Sequence, residues 1–199
     1  DGTQIMTQSS HPNFKSLGCA ECRDREALGF DFTMAFQPIF NVRTRTAFAY
    51  EALVRGVNGE SAGYILGLVN DGNRYRFDQA CRVKAIELAG RLFPATEDTK
   101  LSINFMPNAV YEPAACIRTS LETARRVGFD TKRIMFEFTE NERISDTAHV
   151  QNIIATYKRM GFTTALDDLL GVDTTLVNDD RLYQVLYVGR TPEQRAAPA

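Results

Sequence analysis

Three strand-like stretches recur along this chain at a nearly constant distance, and that spacing narrows the fold more than any other feature. Leu101, Ile134 and Phe162 open successive segments, with steps of 33 and 28 residues. Between them run segments with helical signals. Residues 113–127 begin with Pro113 and end just before Gly128, and residues 147–160 are stopped by Gly161. Alternating strands and helices predict βα units and a largely parallel sheet. A closed eight-unit α/β barrel takes about 250 residues, roughly 31 per unit. The 169 residues that follow residue 30 hold about five and a half such units. The expected fold is therefore an α/β barrel, incomplete at about five to six units.

The remaining segments fit that scheme. Residues 32–40 (FTMAFQPIF) and 46–55 (TAFAYEALVR) read as strands, the first ended by Pro38 and Asn41, the second by Gly56 and Asn58-Gly59. Residues 61–68 read as a short helix. Residues 77–93 read as a long one, with an apolar stripe of Ala80, Val83, Ala85, Leu88 and Leu92. Residues 100–106, 133–138 and 162–166 read as strands. Residues 1–30 show no sustained period and are expected to be a flexible leader, with a domain over 31–190 and a disordered tail over 191–199.

Composition excludes several classes. Apolar residues are 44% and charged residues 24%, a globular profile. With 23 Lys plus Arg against 25 Asp plus Glu, no broad basic footprint for a nucleic acid polymer is expected. No stretch approaches the roughly 20 apolar residues of a membrane span. The polar opening DGTQIMTQSSHP has no signal-peptide core, so a cytoplasmic chain is expected. Four cysteines in a chain of this length do not suggest a disulfide framework.

Side chains alternate between faces along a strand. Glu51, Leu53 and Arg55 thus share one face, opposite Phe48, Tyr50, Ala52 and Val54. Asn104 sits between Ile103 and Phe105, and Glu137 between Phe136 and Phe138. The last of these strands runs into Asp167-Asp168. Each polar group lies near the carboxyl end of a predicted parallel strand, where α/β proteins build their sites. Carboxylates plus an amide suit a hard divalent cation, and adjacent Asp167 and Asp168 suit a two-metal phosphodiester site. The alternative for any one of them is a strand-end carboxylate that caps a helix or faces solvent.

The ordered set also resembles a known family. Glu51-Ala52-Leu53-x-Arg55 is similar to the signature of the EAL domains, bacterial cyclic-di-GMP phosphodiesterases. Gln37-Pro38-Ile39 resembles the family's opening strand, Asn104 its Asn-bearing strand, Glu137-Phe-Thr-Glu140 its Glu-x-Thr-Glu motif, and Asp167-Asp168 its paired aspartates. The resemblance implies a TIM-like (β/α) barrel of the EAL type with one antiparallel strand. It implies Mg²⁺ or Mn²⁺ on Glu51, Asn104, Glu137 and Asp167, with Asp168 serving a second ion. Gln37, Leu53 and Arg55 would contact the nucleotide, Arg55 at a phosphate, and Glu140 would hold the loop after the aspartates.

This chain also departs from the family. Where the family follows its aspartates with Phe-Gly-x-Gly, residues 169–172 read Leu169-Leu170-Gly171-Val172, and Leu and Val resist backbone angles that Gly adopts. The family's later Lys, which positions the attacking water, has no counterpart, since Lys158 is the last lysine. Its late Glu ligand is not reproduced by Glu193-Gln194. The expectation is a non-catalytic module of cyclic-di-GMP signalling, acting through protein contacts or residual nucleotide binding. An active phosphodiesterase is the alternative. An interrupted barrel leaves unpaired edges, so a homodimer or protein partner is expected.

Other features have plainer readings. Cys19-x-x-Cys22, with His11 nearby, lacks the second pair that a zinc site needs. Cys81 and Cys116 are expected as buried small hydrophobes, the phenylalanines as core, and His149 as a surface residue. Arg125-Arg126 suits the carboxyl end of a helix dipole.

Overall fold

Two strands joined by a tight turn open the structure, a computed structural model that describes residues 28–41, 44–107, 110, 112–138, 147–167 and 182–185. β1 (Thr33–Asn41) runs antiparallel to β2 (Thr46–Arg55), with Gln37 opposite Glu51 and a bulge between Ile39 and Phe40. The Asn41 side chain accepts from the Thr44 amide at 3.3 Å, and the Arg45 amide donates to the Asn41 carbonyl at 2.8 Å. Asn in that place closes its own turn.

The chain then alternates as the spacing predicts. α1 (Ala62–Leu66) is capped by the Ser61 hydroxyl, which accepts from the Tyr64 amide at 3.2 Å. After it come α2 (Arg74–Leu92), β3 (Lys100–Phe105), α3 (Pro113–Cys116), α4 (Arg118–Val127), β4 (Ile134–Phe138), α5 (Thr147–Arg159), β5 (Thr163–Asp167) and β6 (Leu182–Val185). The six strands lie in chain order in one sheet, and β2 to β6 are parallel. β6 has no counterpart in the sequence reading, because four residues carry too little periodicity to register.

Helices cover one face of the sheet. Leu101, Ile103, Phe105, Ile134, Phe136, Phe138 and Phe162 pack there against Ala85, Ile86 and Ala89 of α2, Ala124 of α4, and Val150, Ile153 and Tyr157 of α5. The rings of Phe105 and Phe138 stand 4.7 Å apart edge to face, and those of Phe136 and Tyr157 are 5.2 Å apart. Every residue of β4 is buried, as expected for a parallel strand covered on both sides.

Two close approaches fix the helix layer. An added Cβ at Gly90 would lie 2.6 Å from Val127 Cγ2, so α2 and α4 touch through a missing side chain. Gly128 ends α4 at a φ of 69°, with the Phe129 amide bonded to the Ala124 carbonyl, a conformation that favours glycine.

Several expectations need correction. The buried stripe of α2 is Phe77, Asp78, Arg82, Ala85, Ile86 and Ala89, and Leu92 is 64% exposed. Hydropathy hides this stripe, since two of its members are charged and pair at 2.7 Å in the interior. Residues 113–127 form two helices that meet at Ile117. At that junction the Cys116 carbonyl accepts from Arg82 at 3.4 Å. Phe40 is 60% exposed, unlike the core phenylalanines, and Cys81 and Cys116 are half-buried rather than buried. His149 is half-buried on α5.

Candidate functional site

Opposite the helices, the other sheet face has an apolar floor and a polar row above it. Ala49, Met135 and Ala165 form the floor, with Ile39 and Phe48 packed against it. Two residues further along their strands stand Glu51 and Glu137, both buried. Period-two alternation therefore puts the carboxylates on the floor's own face.

Strand stagger decides which side chains meet. In register, Glu51 faces Ser102, Ser102 faces Met135, and Met135 faces Thr163. Yet the Asn104 amide nitrogen, two residues beyond Ser102, donates to Glu51 Oε1 at 2.7 Å. The Ser102 hydroxyl likewise donates to Glu137 Oε1, two residues beyond Met135. Each contact steps forward by two residues as it crosses to the next strand, the stagger that tilted barrel strands require. Asn104 and Glu137 are themselves register partners. Adjacent strands lie about 4.8 Å apart, so Glu51, Asn104 and Glu137 form one row.

The Asn104 oxygen Oδ1 is buried and has no hydrogen-bond partner among the described residues. Leaving such an oxygen unsatisfied costs about 1–3 kcal/mol. With its nitrogen committed to Glu51, the amide can offer only that oxygen. Two buried carboxylates and an amide oxygen are hard donors, the set that Mg²⁺ and Mn²⁺ take. The residues present fit a divalent cation. Among the described residues, no group of three or more His, Cys, Asp or Glu side chains comes together.

The other sequence candidates fall in two groups. Gln37 is exposed and lies across the hairpin from Glu51, and Leu53 is half-buried opposite Ala35. Arg55, the last residue of β2, turns its guanidinium to the Val54 carbonyl at 2.7 Å. Asp167 takes the last position of β5, paired with Val185 of β6. Asp168, Glu140, residues 169–176, residues 1–27 with His11, Cys19 and Cys22, and Glu193-Gln194 lie outside the described residues.

Two residues of the site's surroundings, Ser102 and Asp78, escaped sequence reasoning. Ser102 sits between apolar residues and carries no motif, though its spacing of two from Asn104 puts it on the same face. Asp78 accepts from the Met106 amide at 3.1 Å and from Arg82 at 2.7 Å, which anchors the chain just past Asn104. Burial pushes the Asp78 carboxyl up, against the pull of Arg82 and the Met106 amide. On Arg82 burial acts against the charge, but Asp78, together with Tyr157 and Cys116, keeps the guanidinium above its ordinary range.

The parallel sheet with helices on one face and an oxygen-donor row on the other defines an α/β protein of the TIM-barrel type. The chain belongs to the EAL domain family, whose profile its residues 24–176 match. A standalone EAL protein from Vibrio cholerae O395, solved in its cyclic-di-GMP-bound form, is 58% identical. The alignment has a TM-score of 0.66 and covers 71% of this chain and 59% of that one. BlrP1 of Klebsiella pneumoniae, solved with manganese and cyclic-di-GMP at pH 6, is 26% identical with a TM-score of 0.61, over 69% of this chain and 34% of that one. The blue light- and temperature-regulated antirepressor BluF of Escherichia coli is 27% identical over 133 residues. That match is 67% of this chain and 32% of BluF, so the chain spans about a third of that relative. No helix among the described residues is long and apolar enough to cross a membrane.

Proposed function

We propose that this chain is a non-catalytic cyclic-di-GMP-binding module that holds a divalent cation on Glu51, Asn104 and Glu137, with Asp167 as a further ligand. The observation that carries the reading is the buried Asn104 oxygen, left without a partner beside two buried carboxylates. The 58% identical Vibrio cholerae protein, bound to cyclic-di-GMP, supports the choice of nucleotide. BlrP1 with manganese supports the choice of Mg²⁺ or Mn²⁺. In a phosphodiesterase, such a cation would polarise a phosphoryl oxygen and lower the pKa of a bound water. Here the protein's own part is to hold hard oxygen donors at strand ends, with Gln37, Leu53 and Arg55 along the first hairpin toward the nucleotide. Asp168 at a second ion and Glu140 at the following loop belong to the same proposal.

The non-catalytic part rests on Leu169-Leu170-Gly171-Val172, whose side chains resist a glycine loop's conformation. The competing reading, hydrolysis of cyclic-di-GMP to pGpG, is favoured by the intact Glu51–Asn104–Glu137 row. Association with a second copy or a protein partner is also part of this reading. β1 and β6 each pair on one side among the described residues, and open edges invite pairing. Calorimetry with cyclic-di-GMP, with and without Mg²⁺, tests the nucleotide reading. Metal-dependent binding is expected, and heat indistinguishable from dilution in both titrations refutes it. A monomer by light scattering at high protein concentration would count against association.

A further inference from the structure

We infer that Ser102 is a positioning residue that orients the Glu137 carboxylate toward the cation. This rests on the cation reading above and adds a residue assigned to neither metal nor nucleotide.

The argument starts from β3. This strand lies between β2 and β4, and its Ser102 and Asn104 side chains each serve one neighbour. Asn104 donates to Glu51 of β2, and Ser102 donates to Glu137 of β4. Ser102 and Glu137 are both fully buried. A serine hydroxyl there is not a solvent-facing accident of the strand, because its neighbours Leu101 and Ile103 pack into the helix-covered core.

A carboxylate's terminal torsion is broad and sets itself only by its contacts. A hydroxyl bonded to one oxygen narrows that torsion before any ion arrives, so the ligand needs less ordering on binding. Groups that hold metal ligands in this way commonly change affinity by about 10–100-fold when removed. The carboxylate stays an acceptor in this pairing, since the hydroxyl supplies the only proton the bond needs.

The test is Mn²⁺ titration of the full chain, read by calorimetry and by paramagnetic resonance of free Mn²⁺, with thermal melts of the apo and Mn²⁺-loaded forms. Ser102→Ala is expected to raise the Mn²⁺ Kd by about tenfold or more. It should also shrink the rise in Tm that Mn²⁺ gives. Ser102→Thr, which keeps the hydroxyl, is expected to stay within about threefold of wild type. If Ser102→Ala gives no cooperative melt, Ser102→Cys carries the same comparison with nearly the same volume and a weaker donor, and an intermediate loss is expected. A purely structural serine would lower apo and loaded Tm equally and leave Kd unchanged, which overturns the inference. Wild type that binds no Mn²⁺ overturns it too, and takes the cation reading with it. Unchanged affinity in the variant beside a binding wild type removes the Ser102 role alone.

Discussion

The Asn104 amide donates to Glu51 Oε1 across 2.7 Å, although 53 residues separate the two in sequence. That bond commits the nitrogen and leaves the amide oxygen buried among acidic neighbours. It makes Asn104 the pivot of the site, and the first prediction concerns it.

Asn104→Ala is expected to weaken Mn²⁺ binding by about tenfold or more, equivalent to about 1.4 kcal/mol. Asn104→Asp should behave differently. It sets a third carboxylate beside Glu51 and Glu137, so the metal-free form should melt lower through like-charge repulsion. Mn²⁺ should then restore more stability than it gives wild type. Melts of the three proteins with and without Mn²⁺ check both outcomes; equal Mn²⁺ responses would refute the ligand role.

The buried pair of Asp78 and Arg82 yields a second expectation. Asp78→Ala leaves the Arg82 charge and the Met106 amide without their acceptor, at a cost of about 3–5 kcal/mol. The double change Asp78→Leu with Arg82→Met removes both charges and should recover most of the loss. Urea denaturation of the single and double variants gives the comparison.

Tyr157 predicts a pH dependence. Burial is the main cause that pushes its phenol up to about 12 from the usual 10.0. The folded chain therefore keeps the proton longer than the unfolded chain does. This stabilisation is complete below pH 10 and is lost as pH rises toward 12, a change of up to about 2.7 kcal/mol. Tyr157→Phe should flatten the fall in stability across that window. Parallel slopes in the two proteins between pH 10 and 12 would contradict it.

Gly90→Ala inverts a familiar rule. In an open helix this change usually stabilises by about 0.5–1 kcal/mol. Here the new methyl would sit 2.6 Å from Val127 Cγ2 and 2.9 Å from its Cβ. A loss of about 1–3 kcal/mol is expected from the overpacked helix contact. Val127→Ala added to Gly90→Ala should relieve part of it, as thermal melts would reveal.

Turnover is the last expectation. Purified chain with excess Mg²⁺ or Mn²⁺ should form no pGpG from cyclic-di-GMP above a no-enzyme control. Two-metal hydrolysis needs its ions and its water held together, and parts of such a unit fail jointly. Leu170 and Val172 stand where the family has its two loop glycines, which on the non-catalytic reading costs one of those parts. Chromatographic detection of pGpG that Glu51→Ala abolishes would restore the enzyme.

The sequence by itself determined the order of the first five strands and the helical stretches among them, the parallel sheet, and the places of Glu51, Asn104, Glu137 and Asp167 along their strands. Those follow from local rules: period-two alternation, helix caps and stops, and unit length, each readable within a dozen residues. Only the tertiary structure decided which of these side chains touch. Register pairs Glu51 with Ser102, yet barrel stagger carries the contact to Asn104 and gives Ser102 to Glu137. The offset is a property of tilted strands packed under helices, and no single strand contains it. The same holds for Asp78 and Arg82, which lie outside the apolar stripe that the sequence shows for this helix. They are buried because each finds its opposite one turn away, and because the Met106 amide and Cys116 carbonyl arrive from distant segments to complete their bonds.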